Sequence, residues 1–269
     1  MPITVDRPIQ VMTQEQFGAV AYEVMNHAFD IHSEMGRFFD ERVYQNELCR
    51  RFGGRAETEV FLHATHGDFQ KLYRLDLLVD GGAVFEIKTA SQFHDQHRSQ
   101  LIYYLMMTGL QHGKLINFRL EHVRHEFVNS KISLEQRQAF EVQATRWNRK
   151  LPGCERFQDI LTECLRDWGT GLDLQLYEDA LTHFFGGLES VEREIEVVAH
   201  DQRLGSHSVK VINPTTTFKL TSLNRDLGAY ESHLRRFLRH TELEHVLWVN
   251  ITRDQVQYVL VSKNEDLHN

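Results

Sequence analysis

Basic residues are in the minority in this chain: 30 Lys and Arg stand against 38 Asp and Glu, for a net charge of −8. That balance excludes a broadly basic surface and argues mildly against a protein that grips nucleic acid tightly by charge alone. Cysteine is scarce as well. Cys49, Cys154 and Cys164 form no close pair and no metal-ligand spacing, which excludes a disulfide framework and a zinc knuckle. A reduced, cytoplasmic location is therefore expected. No apolar run approaches the roughly 20 residues a membrane helix needs, so no membrane partner is expected. The opening Met-Pro-Ile-Thr-Val-Asp-Arg has neither a basic start nor an apolar core, and no signal peptide is expected there. A phosphate-binding glycine loop is missing, and so is any H-E-x-x-H pattern.

What remains is the composition of a soluble globular protein, with 41% hydrophobic and 25% charged residues over 269 positions. The stretch from Tyr73 to Lys88 is the most informative part. It reads as two apolar strands joined by a tight turn at Asp80-Gly81-Gly82, where glycine can take the positive φ angles a short hairpin demands. With the turn centred near Gly81, facing residue numbers sum to about 162, which sets Asp76 opposite Glu86. Side chains alternate along a strand, so Glu86 and Lys88 share a face. Two carboxylates and an amine thus converge on an otherwise apolar hairpin. Burying them is costly without compensation, and a divalent cation between Asp76 and Glu86 would supply it.

The chain also carries a weak internal repeat at a shift of 133 residues. Tyr44 falls on Tyr177, Leu48 on Leu181, Phe52-Gly53-Gly54 on Phe185-Gly186-Gly187, and Phe85 on Phe218. Further along, Thr108, Leu110, His112 and Asn117 fall on Thr241, Leu243, His245 and Asn250. Each half reads as two helices, three strand-like runs, a helix and a final strand pair. In the first half these are helices near 14–35 and 40–52, strands near 57–64, 70–80 and 83–88, a helix near 95–109, and strands near 114–118 and 121–128. Leu134 to Lys150 reads as a polar helix stopped by Pro152-Gly153. The second copy lacks the chemistry: Asp76 becomes Val209, Glu86 becomes Lys219, Lys88 becomes Thr221, Gln100 becomes His233 and Glu41 becomes Leu174.

The spacing D-x9-E-x-K of Asp76, Glu86 and Lys88 resembles the core signature of the PD-(D/E)xK nuclease superfamily. With Glu41-Arg42-Val43-Tyr44, His97-Arg98-Ser99-Gln100-Leu101, Thr108-Gly109-Leu110 and Lys114-Leu115-Ile116-Asn117-Phe118, residues 14–130 resemble its GxxExxY family. One departure is that Gly36 stands five residues before Glu41 rather than three. The resemblance implies an α/β fold, a restriction-endonuclease-like mixed sheet flanked by helices. The repeat implies that it occurs twice, as a pseudo-two-fold internal duplication. The expected division is a nuclease-like domain at 1–132 with an intact site, a helical connector at 133–153, and a degenerate copy at 154–269 that serves as a built-in dimer partner.

In this reading the function is metal-dependent phosphodiester hydrolysis of nucleic acid, DNA before RNA. Mg²⁺ is the expected cofactor and Mn²⁺ its substitute. Asp76 and Glu86 would hold the metal, with the Ile87 carbonyl as a third ligand and Glu41 reaching in from the second helix. Lys88 would stabilise the attacking water, and Gln100 would orient that water or Lys88. The rival is a non-catalytic nucleic-acid-binding or assembly module that keeps a relic site. Tyr44 recurs in both halves and is expected to pack rather than react. Of the histidine pairs at i, i+3, His63/His66 and His122/His125 fall on strands and point to opposite faces, whereas His94/His97 opens the helix beside the proposed site.

Overall fold

The computed structural model describes residues 2–263, and the chain divides into two compact units, 1–134 and 135–269. In the first unit, β1 (Ile3–Val5) precedes α1 (Gln14–Met35) and α2 (Glu41–Phe52). Then come β2 (Ala56–His66), β3 (Phe69–Val79), β4 (Ala83–Lys88), α3 (Asp95–Thr108), β5 (His112–Asn117) and β6 (Arg124–Asn129). The strands form one six-stranded mixed sheet in the order β1-β2-β3-β4-β5-β6. All its neighbours are antiparallel except β4 and β5, which run parallel with α3 as their crossover.

Local sequence accounts for these elements. Thr13 caps α1 through a capping box with Gln16. Apolar residues Phe17, Ala21, Val24, Met25, Ala28 and Ile31 recur at helical spacing, and all are buried against Phe85, Ile87 and Ile116 of the sheet. Strands β4 and β5 are buried along their whole length, as expected of strands at the centre of a sheet covered on both faces.

The β3–β4 turn divides its labour in a way the sequence does not reveal. Asp80 (φ 48°) and Gly81 (φ 66°) take the two left-handed positions, and the Gly82 amide closes the turn onto the Val79 carbonyl at 3.1 Å. Gly82 serves a different need. A Cβ there would lie 2.1 Å from the Gln10 carbonyl oxygen, because the chain before α1 passes directly over it and is tied to the turn by Gln10 N donating to Gly81 O. Gly82→Ala is therefore expected to destabilise the first unit by about 2 kcal/mol, since backbone must move. Urea unfolding with an unchanged midpoint would contradict it.

The one-turn helix α4 (Leu134–Gln138) begins at the last residue of the first unit, and strand β7 (Glu141–Arg146) follows it in the second. Next come α5 (Cys154–Trp168), α6 (Leu174–Phe184), α7 (Leu188–Val191), β8 (Glu192–Ala199), β9 (Gln202–Asn213) and β10 (Thr216–Thr221). Helix α8 (Leu227–Arg239), β11 (His245–Ile251) and β12 (Gln255–Ser262) complete it. Its sheet order is β7-β12-β11-β10-β9-β8, and the parallel pair joined by a helix is again central, β10 with β11. This corrects the polar helix expected over 134–150. The alternation in Glu141-Val142-Gln143 forms an edge strand that pairs parallel with β12, so a long-range partner overrides a locally helical composition.

Several small features recur at matching places in the two units. The Tyr44 hydroxyl donates to Gly36 O at 2.9 Å, and the Tyr177 hydroxyl donates to Gly169 O. Asn117 Nδ2 donates to Ala90 O at 2.8 Å, and Asn250 Nδ2 donates to Leu223 O at 3.0 Å. Each pair of residues differs by 133 in number.

Candidate active site

The site is assembled at the carboxyl end of β4. The β3–β4 ladder pairs Leu77 with Phe85 and Val79 with Ala83, a register whose numbers sum to 162 and which sets Asp76 opposite Glu86. Asp76 Oδ2 accepts the Ile87 amide at 2.8 Å, so the start of the charged segment is bonded across the hairpin by side chain rather than backbone. Lys88 Nζ lies 2.7 Å from Glu86 Oε1 and 4.0 Å from Asp76 Oδ2. Glu86 is fully buried, and its Oε2 is a buried atom with no hydrogen-bond partner.

The electrostatics follow from that burial. Burial pushes the Glu86 carboxyl up to about 8, and the neighbouring Asp76 charge adds to the push against Lys88. Burial likewise raises Asp76, with Lys88 and the Ile87 amide opposing. For Lys88, burial works to remove the charge, but Glu86, then Asp76 and Glu41, outweigh it and hold the ammonium above its ordinary value. Two carboxyls that burial disfavours as charges thus share a single ammonium. A site that holds two carboxylates, one of them with an orphaned buried oxygen, is suited to a further cation.

The other expected residues stand around this centre with different partners. Glu41 opens α2, and its Oε1 accepts the Thr89 amide at 3.0 Å, tying α2 to the residue after Lys88. Gln100 donates from Nε2 to the Tyr104 hydroxyl at 2.9 Å rather than to Lys88. Tyr104 is itself buried, with burial and then the Glu86 charge raising its hydroxyl. Among the described residues, no group of three or more His, Cys, Asp or Glu side chains gathers closely enough to hold a metal ion. The side chains that fit a cation are therefore the Asp76–Glu86 pair, with backbone carbonyls such as that of Ile87 left to complete the set.

His94 and His97, which open α3 and one of which is expected to contact a phosphate, bond to each other. In α3 the His97 Nδ1 accepts the His94 amide at 3.3 Å, its ring is 5.5 Å from that of His94, and burial, then the Lys88 charge, lowers its pKa from the ordinary imidazole value. The i, i+3 spacing that opens α3 was the available signal. Tyr44 is a packing residue: it stacks on Phe118 with ring centroids 4.3 Å apart, and its hydroxyl also accepts the Phe39 amide at 3.2 Å. His63 binds Asp6 at 2.7 Å, well outside the site.

In the second unit, Thr221 stands where Lys88 would. Its hydroxyl donates to Asn250 Oδ1 at 2.8 Å and accepts from the Trp248 indole at 2.9 Å. That position is occupied by a neutral network around a buried tryptophan, with no carboxylate at the places of Asp76 and Glu86.

Residues 18–130 match the family model described as the PD-(D/E)XK nuclease superfamily. The match covers nearly all of the first unit and contains Asp76, Glu86 and Lys88. The match points to a nuclease activity for the matched segment. No curated protein matches the chain. Among solved structures, the crystal structure of SSO0001 is similar at 21% identity, covering 42% of this chain with a TM-score of 0.28; the likeness spans 62% of that protein's own length. No helix among the described residues is long and apolar enough to cross a membrane.

Proposed function

We propose that the first unit is a divalent-metal-dependent nuclease of the GxxExxY type, acting on DNA in preference to RNA. The observation that carries this reading is the buried Asp76–Glu86 pair with Lys88 against it, in which Glu86 Oε2 has no partner. Bound there, Mg²⁺ or Mn²⁺ would polarise the scissile phosphate and make water a competent nucleophile. The chain's own residues divide the remaining work. Asp76 and Glu86 hold the ion, and Asp76 is kept in place by the Ile87 amide. Lys88, protonated and largely shielded from solvent, stabilises charge on the attacking water and the phosphate. Glu41 fixes the Thr89 backbone through Oε1 and would support the bound ion with its second carboxylate oxygen. Gln100 acts through Tyr104, whose hydroxyl it holds near the Glu86 charge.

The second unit is, in this proposal, a duplicated copy that has lost its site. Three observations support the duplication: five strands in matching order, β2-β3-β4-β5-β6 and β8-β9-β10-β11-β12, with only the sixth strand added at opposite edges (β1 beside β2, β7 beside β12); the paired Tyr44/Tyr177 and Asn117/Asn250 hydrogen bonds; and the constant shift of 133 residues. The cytoplasm is its proposed location.

The test is an assay of the purified chain on single- and double-stranded DNA and RNA, with Mg²⁺, Mn²⁺ or EDTA. Cleavage that needs the metal and fails in Asp76→Ala is expected. Metal binding without cleavage of any substrate would favour the rival, a binding module with a relic site.

A further inference from the structure

The first unit contains ten arginines, and seven of them are paired with carboxylates. The three with no carboxylate partner among the described residues are Arg37, Arg119 and Arg124, and all are exposed. They are not scattered. Arg119 follows Phe118, whose amide donates to the Lys88 carbonyl at 2.9 Å. Arg124 opens β6 opposite Asn117, which is itself opposite Lys88. Arg37 lies in the α1–α2 loop, four residues before Glu41. On a chain with a net charge of −8, the uncompensated guanidiniums of this unit therefore gather at the end of the sheet that carries the site.

Between two of them stands Phe38, with 76% of its surface exposed. The Arg37 guanidinium lies 5.3 Å from its ring centroid and that of Arg119 lies 5.9 Å away, from a different loop. The platform is anchored to the site. The next residue's amide, that of Phe39, donates to the Tyr44 hydroxyl, and Tyr44 stacks on Phe118 beside Lys88. His32 at the end of α1 binds the Leu120 carbonyl at 2.9 Å, joining the two loops again. A phenylalanine so exposed has no packing role, and cations placed at its ring without counter-charges suit a ligand that is both flat and anionic.

We propose that Phe38, bracketed by Arg37 and Arg119, is a stacking platform for an unpaired base, with the two guanidiniums receiving the flanking phosphates. This deepens the nuclease reading and rests on it for the identity of the ligand: the substrate presents a single-stranded segment at the site. Stacking on an aromatic ring needs an unstacked base, which intact duplex does not offer, and every base has a face to stack. DNA and RNA single strands share that chemistry.

The test is binding in EDTA, so that it does not depend on cleavage. Fluorescence anisotropy is measured for a labelled single strand of DNA, the same strand as RNA, and a blunt duplex. Phe38→Ala should weaken single-strand binding about tenfold or more, Phe38→Trp should restore it, and blunt-duplex binding should change less than about twofold. An oligonucleotide carrying 2-aminopurine should be quenched by wild type and by Phe38→Trp but not by Phe38→Ala. The double variant Arg37→Ala/Arg119→Ala should reduce the salt slope of single-strand binding by about 1.4, from two lost phosphate contacts. The DNA and RNA arms tell which strand is preferred. Equal losses on single strand and duplex would overturn the platform, as would undiminished binding by Phe38→Ala. A change in oligomeric state on sedimentation with unchanged binding would overturn it too and assign the ring to a protein interface. A chain that binds through Phe38 yet cuts nothing upholds the platform while refuting the nuclease; one that cuts with Phe38 dispensable does the reverse.

Discussion

Lys88→Ala is expected to fold, to bind Mn²⁺ within about threefold of the wild-type affinity, and to cleave nucleic acid at least about 10³-fold more slowly. The ammonium sits 2.7 Å from Glu86 and 4.0 Å from Asp76, in contact with the proposed ligands. Its charge competes with a metal at least as much as it assists one, so its removal has little reason to weaken metal affinity. The fold should tolerate the change at neutral pH, because Glu86, pushed up to about 8, can take a proton once its partner is gone. Turnover is different, because negative charge that builds up on phosphate and water would lose its nearest fixed cation. Lys88→Arg should restore little, since a broad planar guanidinium does not replace a compact ammonium in so enclosed a space. Calorimetry with Mn²⁺ and single-turnover cleavage, run on the same preparations, check both halves. Wild-type rates in Lys88→Ala would remove the residue from the mechanism.

Glu86→Gln should abolish metal binding and cleavage yet stabilise the metal-free protein. The sign follows from the direction of the shift. Glu86 ordinarily titrates near 4.5 and in the folded chain near 8, so the folded state holds a proton that the unfolded state has released. Its contribution to stability is fully present below about pH 4.5 and is lost as pH rises through about 8. The wild-type protein without metal should therefore lose stability across that window. Glu86→Gln should flatten this slope and exceed wild type by on the order of 1–3 kcal/mol near pH 8, with the gap closing toward pH 5. Added Mn²⁺ should raise the melting temperature of wild type and leave that of Glu86→Gln unmoved. A variant less stable than wild type at pH 8 would show that Glu86 is retained for folding rather than for a ligand. The same account explains why a carboxylate with a buried, unpartnered oxygen persists in an otherwise apolar sheet: it is costly to stability and useful to function.

The centre of the first unit was legible because two strong local signals agree there. Alternating apolar residues define β3 and β4, and the Asp80-Gly81 turn fixes their register, which places Asp76 and Glu86 face to face without any long-range information. The elements that were missed depend on distant partners. Strand β1 has three residues and exists because β2 offers it an edge. Strand β7 is polar and short, and pairs with β12, more than a hundred residues away. Side-chain partners were the least readable level. Gln100 was expected to face the water or Lys88, but the helical i, i+4 position of Tyr104 captures it first. The Phe38 platform could not be foreseen, since Arg119 reaches it from the loop after β5 and nothing in the sequence links the two.

The most direct test is anomalous diffraction from crystals of the wild-type chain soaked in Mn²⁺. The account predicts an anomalous peak in contact with both the Asp76 and Glu86 carboxylates, and no equivalent peak near Val209 and Lys219 in the second unit. A map without density between Asp76 and Glu86 at saturating Mn²⁺, with Lys88 still bonded to Glu86, would contradict it.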